Sequence, residues 1–309
     1  MLSVRGRMPR FMLQHRHWME GHLRKPVVDW TRTEAILDFR RQVEEGAARF
    51  GRLPRGVQVE PVEIPGVPAE WIRPESPVGQ GVMLYFHGGG YVTGTCRSHR
   101  PIVGKFVQAC GLPALSFGYR LAPEHPFPAA LEDALAAWQW MQDQGFSPEK
   151  VCFVGDSAGG GLVLATLLAL KDLGMPLPAG AVAYSPVTDF TCSGASHRIN
   201  VDICLSPKGM AQALAGHYSG EAGPEHPYVS PLFGNLNGFP PLLMFAGSEE
   251  TLLDDSVLFA RKAREAGVDV DLEVGEGLFH CYPAMAPMFP EAVRAMEKIC
   301  RFIRERTED

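Results

Sequence analysis

The chain has 309 residues, 46% of them apolar, and a formal net charge of −6. That length and apolar share can bury one large core, and an α/β domain of this size commonly stays one unit. The acidic balance leaves no basic footprint for nucleic acid, and no run reaches the roughly eighteen consecutive apolar residues of a membrane span.

The first residues, Met1 to Lys25, are basic and carry several His and Met. They lack the apolar core of a secretory signal, and read either as an organelle transit segment or as a partly helical stretch packed on the body. From Thr31 to residue 50 an amphipathic helix is predicted. Thr31 or Thr33 would cap it, and Ala35, Ile36, Phe39 and Val43 form its apolar stripe. Two alternating runs, Val57 to Ile64 and Val67 to Ile72, meet at Pro65-Gly66 and predict an antiparallel hairpin. Val82 to Phe86 is continuously apolar, as a strand covered on both faces would be.

Beyond it, strand and helix alternate. Helices are predicted at 98–110, 129–144, directly after Ser157, 254–266 and 290–304, with strands at 114–119, 151–154, 181–185, 242–246 and 268–274. Such alternation means a mostly parallel sheet with helices on both faces. The stretch from Asp189 to His226 interrupts it with Ser, Gly and Pro punctuation around one weakly periodic helix, Pro207 to Tyr218. An insertion of this size reads as a lid or cap. Seven cysteines at irregular spacing, with no CxxC pair, argue against a disulfide framework and a zinc site. A reducing, cytoplasmic location is the simpler expectation.

One stretch concentrates chemistry. The apolar run Val151 to Val154 stops at Gly155, Ser157 sits between Gly155 and Gly159, and an Ala/Leu-rich segment follows at once. That is strand, sharp turn and helix, with a hydroxyl at the apex and small residues where a side chain would collide. A serine nucleophile also needs donors for the oxyanion and a base for its proton. His87-Gly88-Gly89-Gly90-Tyr91 follows a buried strand, so Gly88 and Gly89 are candidate backbone donors, with Ala158 as the third. His87 would shape that loop. The base is expected after the last strand, where His280 lies in the loop beyond Gly275 and Gly277. The acid that orients it should follow the preceding strand, where Glu249 and Glu250 stand nearest the strand end. Asp254 and Asp255 fit the acidic first turn of a helix.

Taken together, HGGGY at 87–91, YRLAPEHPFPAALED at 119–133, GDSAGG at 155–160, the acid segment and the late histidine resemble the hormone-sensitive-lipase-like (bacterial type IV) carboxylesterases of the α/β-hydrolase fold. The resemblance spans the chain from about residue 57. It implies N-terminal cap helices (1–50), a core in two parts (51–188 and 227–309) and a cap insertion (189–226). Its D-x-L-x-D pattern falls on Glu250-Thr251-Leu252-Leu253-Asp254, which favours Glu250 as the triad acid, with Glu in place of the usual Asp and Glu249 as the alternative. Cys281 stands where relatives carry a small residue, so thiol reagents would block the site sterically. Tyr91 and Tyr282 are expected to line the substrate pocket. Tyr119, Arg120, Glu124, Glu132 and Asp133 are expected to brace the oxyanion loop.

The implied activity is hydrolysis of short- to medium-chain esters through an acyl-enzyme, with a small-molecule ester as partner and no cofactor or metal. Homodimers paired through a sheet edge are a further expectation of the resemblance. Amide deacetylation and a non-catalytic ligand receptor on the same fold are the alternatives.

Overall fold

The computed structural model describes residue 3, residues 28–204 and residues 209–308. The expectations for the basic N-terminus, and the first residues of the helix expected from Pro207, lie outside these. Helix α1 (Thr33–Phe50) precedes the hairpin β1 (Val57–Ile64) and β2 (Val67–Pro74). Then come β3 (Val82–Phe86), α2 (Cys96–Cys110), β4 (Ala114–Phe117), α3 (Ala129–Asp143), β5 (Val151–Asp156), α4 (Ala158–Asp172) and β6 (Gly180–Tyr184). Two short helices, α5 (Ser196–Ile199) and α6 (Met210–Ser219), occupy the stretch before β7 (Leu242–Gly247). Helix α7 (Leu253–Glu265), β8 (Val270–Gly275) and α8 (Pro290–Thr307) complete the chain.

The eight strands form one sheet in the order β1-β2-β4-β3-β5-β6-β7-β8. β2 runs antiparallel to both β1 and β4, and every pair from β4 to β8 is parallel. This is the mostly parallel sheet that the alternating pattern predicted, in the α/β-hydrolase order that the resemblance implied. Alternate side chains of β3 explain why its run is apolar throughout. Leu84 and Phe86 pack in the layer that contains α3, α4 and α7, while Met83 and Tyr85 pack in the layer with α2 and α8.

The predicted stripe of α1 points inward at Ile36, which is fully buried, with Phe39 packed against Trp30. Its predicted cap does not form. Arg32 occupies the N-cap with no side-chain bond, and the Thr31 hydroxyl donates instead to Asp29, 2.6 Å away. Thr31 lies one residue before the N-cap, and its hydroxyl turns to the Asp29 carboxylate instead of offering its oxygen to a helix N–H.

Helix α4 is buried at every residue from Ala158 to Leu170. An all-round apolar helix belongs in the interior, and this one places its first turn under the carboxyl ends of β3 and β5. A Cβ on Gly159 would collide with the carbonyl oxygens of Phe86 and His87, and one on Gly155 with the backbone of Gly159. The glycines flanking Ser157 are therefore required by backbone contact between α4 and the sheet.

Candidate active site

The carboxyl ends of β3, β5, β6, β7 and β8 lie side by side, and each delivers one part of a single constellation. Such strand ends are where open α/β sheets bind ligands. Ser157 turns the corner from β5 to α4 with φ 53° and ψ −121°, a strained conformation for a residue with a Cβ. Its N–H donates to Tyr184 and its carbonyl accepts from Gly161 and Val187, so the corner is held on both sides.

The Ser157 hydroxyl lies 3.0 Å from His280 Nε2. His280 Nδ1 lies 2.6 Å from Glu250 Oε2, and Glu250 is fully buried. The other carboxylate oxygen, Oε1, accepts from the Gly247 N–H at 2.7 Å and from the Ser185 hydroxyl at 2.9 Å. Ser185 in turn accepts the Cys281 N–H at 2.9 Å, tying the acid to the loop that carries His280. The carboxylate bonded to His280 is thus that of Glu250. Glu249 donates its N–H to Leu278. Burial pulls the His280 pKa down, but the Cys281 sulfur and the Glu250 carboxylate outweigh it and hold the group well above the ordinary histidine range.

The glycine loop differs in one respect from expectation. The Gly88 N–H is already spent on Asp156 Oδ1 at 2.9 Å, an atom that also accepts from Tyr85. Gly88 therefore has no donor to offer. Gly89, Gly90 and Ala158 have N–H groups with no protein partner among the described residues. Gly89 and Gly90 take φ 121° and 65°, which their lack of a Cβ permits. His87 shapes the loop as predicted. Its Nδ1 donates to Gly88 O, its ring stacks on Tyr119 at 4.1 Å, and the Tyr119 hydroxyl donates to His87 O. Burial, and then His99, press its pKa to about 3, so it stays neutral.

The expected bracing is present and larger than foreseen. Arg120 bonds Asp133 and Glu132. Arg40 of α1 grips Glu124 with both ends of its guanidinium and reaches the carbonyls of Val92 and Ala122. Arg40 was invisible as a site residue because its partners lie far along the chain.

A cavity of about 350 Å³ opens over Ser157 and His280. Phe39 of α1, Phe190, and Met210, Ala211 and Leu214 of α6 supply much of its apolar wall. Tyr91 and Tyr282 do not line it. Each is 1% exposed; Tyr91 stacks on Tyr218 at 3.6 Å and Tyr282 packs toward Phe245. Cys281, with φ 56°, takes the wall position itself and turns Tyr282 down into the layer behind.

His197 also lines the cavity, paired with Asp255 at 2.7 Å, both nearly inaccessible. Burial lowers the His197 pKa, but Asp255 and Cys192 raise it to about 10. Burial pushes Asp255 the other way, above the usual carboxylate range, against the pull of His197. Taking both groups out of water offsets much of their mutual attraction. Asp255 is more than the helix-start acid predicted, since it also accepts the N–H groups of Thr188 and Asp189. Losing its partner is costlier than the pair is worth. His197→Ala should lower the unfolding free energy by about 3 kcal/mol or more, read from the urea midpoint. An unchanged midpoint would refute the charged pairing.

Residues 83–284 match a family model described as alpha/beta hydrolase fold. An acetyl-hydrolase from Streptomyces hygroscopicus is 43% identical, over 77% of this chain and 80% of its own. A crystal structure of an esterase from the bacterial hormone-sensitive lipase family superposes with a TM-score of 0.88 at 38% identity, covering 99% of both chains. The chain belongs to that family of α/β hydrolases. It is a carboxylic ester hydrolase. The structure of the esterase EstE5 soaked with p-nitrophenyl butyrate is equally similar, at TM-score 0.88 and 39% identity over 99% of this esterase and 100% of EstE5. Among the described residues, no helix is long and apolar enough to cross a membrane.

Proposed function

We propose that Ser157, His280 and Glu250 are the triad of this esterase, and that Gly89, Gly90 and Ala158 donate to the oxyanion. The observation that carries the reading is the unbroken line from the Ser157 hydroxyl through both His280 nitrogens to a buried carboxylate, at the floor of an apolar cavity. Ser157 Oγ attacks the ester carbonyl while His280 Nε2 takes its proton. The carbonyl oxygen becomes an oxyanion facing the three N–H groups, where fixed donors act at no reorganisation cost. Collapse expels the alkoxide, which leaves as the alcohol with the proton from His280. Water then attacks the acyl-serine by the same route, with His280 as base, and releases the acid. Glu250 keeps the proton of His280 on Nδ1 and stabilises the imidazolium.

The substrates we assign are esters of short to medium acyl chains. Support comes from the bounded cavity and from the names of relatives such as the ethyl acetate hydrolase of Pseudomonas putida. In this reading α1 and residues 189–226 form the cap, since their apolar side chains close the cavity from above. Seven irregularly spaced cysteines that form no disulfide among the described residues support a cytoplasmic enzyme.

A series of p-nitrophenyl esters from acetate to palmitate tests this. The expected profile has its highest kcat/KM among the short and medium esters and falls off by palmitate. A maximum at palmitate would remove the assignment. Because His280 must be neutral to act as base, kcat/KM should rise with pH, and its limb should lie alkaline of the ordinary value of about 6.5.

A further inference from the structure

The acid loop, residues 248–252, joins β7 to α7 and has no regular structure of its own. Its backbone N–H groups at Ser248 and Glu249 bond Gly275 O and Leu278 O, and a second set of anchors comes from residues 196–204, a segment distant in sequence. The Asn200 side-chain amide donates to Ser248 O at 3.0 Å and to Glu250 O at 2.9 Å. Two carbonyl acceptors at one atom require it to be the NH₂ group, which fixes the amide orientation. Asn200 is 7% exposed, and its own backbone is held by Ser196 O on one side and by the N–H groups of Ile203 and Cys204 on the other. Neighbouring bonds repeat the pattern. Ser196 Oγ donates to Thr251 O, Asp254 N donates to Ser196 Oγ, and Thr251 N meets Cys204 Sγ.

We infer that Asn200 is a positioning residue for catalysis, clamping the backbone of the Glu250 loop so that its carboxylate meets His280. The inference rests on the reading of Glu250 as the triad acid. Glu250 carries one more rotatable bond than aspartate, so its carboxylate is only as well placed as its backbone. That carboxylate must satisfy Gly247 and Ser185 with one oxygen and His280 with the other. Ser248 O and Glu250 O lie on the peptide units either side of the Glu249–Glu250 peptide, and Asn200 ties both with one atom. Without it Ser248 O loses the Asn200 donor and Glu250 O keeps only the longer bond from the Leu253 N–H at 3.3 Å, so the loop is free to rotate.

The test is a double-mutant cycle of Asn200→Ala with Glu250→Gln, read as kcat and KM separately on one p-nitrophenyl ester. Misplacement by a fraction of an ångström predicts a kcat loss on the order of 10- to 100-fold, with KM nearly unchanged. In the Glu250→Gln background the same substitution should cost almost nothing further, because it acts through a carboxylate already removed. Ile199→Ser, one residue away and 76% exposed, should keep wild-type kcat. Should Asn200→Ala fail to fold, Asn200→Ser enters the same cycle. An equal fold-loss in both backgrounds, or a raised KM at unchanged kcat, would overturn the positioning role while leaving the triad intact. Wild-type kcat in Glu250→Gln alone would instead overturn the acid assignment, and the inference with it.

Discussion

Ser157→Ala should abolish ester hydrolysis, by on the order of 10³-fold or more in kcat, while the unfolding midpoint stays where it is. The hydroxyl contributes no bond to the fold beyond its contact with His280, and the corner is held by the backbone bonds to Tyr184, Gly161 and Val187. Alanine has the same Cβ that serine already accommodates at φ 53°. The substitution therefore removes chemistry without removing support. Activity near wild type, measured on p-nitrophenyl butyrate after exclusion of wild-type contamination, would end the nucleophile assignment.

Glu250→Gln is expected to cost roughly 10²- to 10⁴-fold in kcat. The amide preserves shape, yet its NH₂ cannot accept from Gly247 or Ser185, and its oxygen cannot stabilise an imidazolium. The same change removes the negative charge that favours protonated His280, so the ascending limb of kcat/KM should move to lower pH. Direction and size together separate the acid from its neighbour. Glu249→Gln should leave the limb in place, because His280 Nδ1 bonds to Glu250. A limb that moved with Glu249 instead would transfer the assignment.

Local signals made much of this legible in sequence. The Ser157 turn could be read because strand, glycine spacing and helix all fall within one short stretch, and because α4 demands bare glycine against the sheet. His280 and the pair Glu249/Glu250 could be placed because parallel connection puts successive loops at one edge, and the D-x-L-x-D pattern of the resemblance favoured Glu250. Side-chain direction and prior commitments were not legible. Nothing near Gly88 announces that its N–H belongs to Asp156, which arrives with another strand. Tyr282 reads as a wall residue until Cys281 turns left-handed and sends it inward. Ser185, Arg40, His197 and Asn200 all act on partners distant in sequence, and a polar residue in a loop gives no hint of what it will meet. The Thr31 cap does not form because Arg32 takes the N-cap position and the Thr31 hydroxyl turns back to donate to Asp29.

The walls and the floor of the cavity come from different parts of the chain. Ser157, His280 and the glycine loop rise from the sheet and from a helix buried along nearly its whole length, where most changes of volume would be felt. Phe39, Phe190, Met210 and Leu214 sit on segments outside that sheet. The two are therefore under separate constraint. Selectivity can drift by substitution on the walls while the reaction below is conserved, except through the stretch that grips the acid loop. A lineage remodelling this enzyme for a new ester has freedom along α1 and α6 and little at Ser196, Asn200 and Cys204.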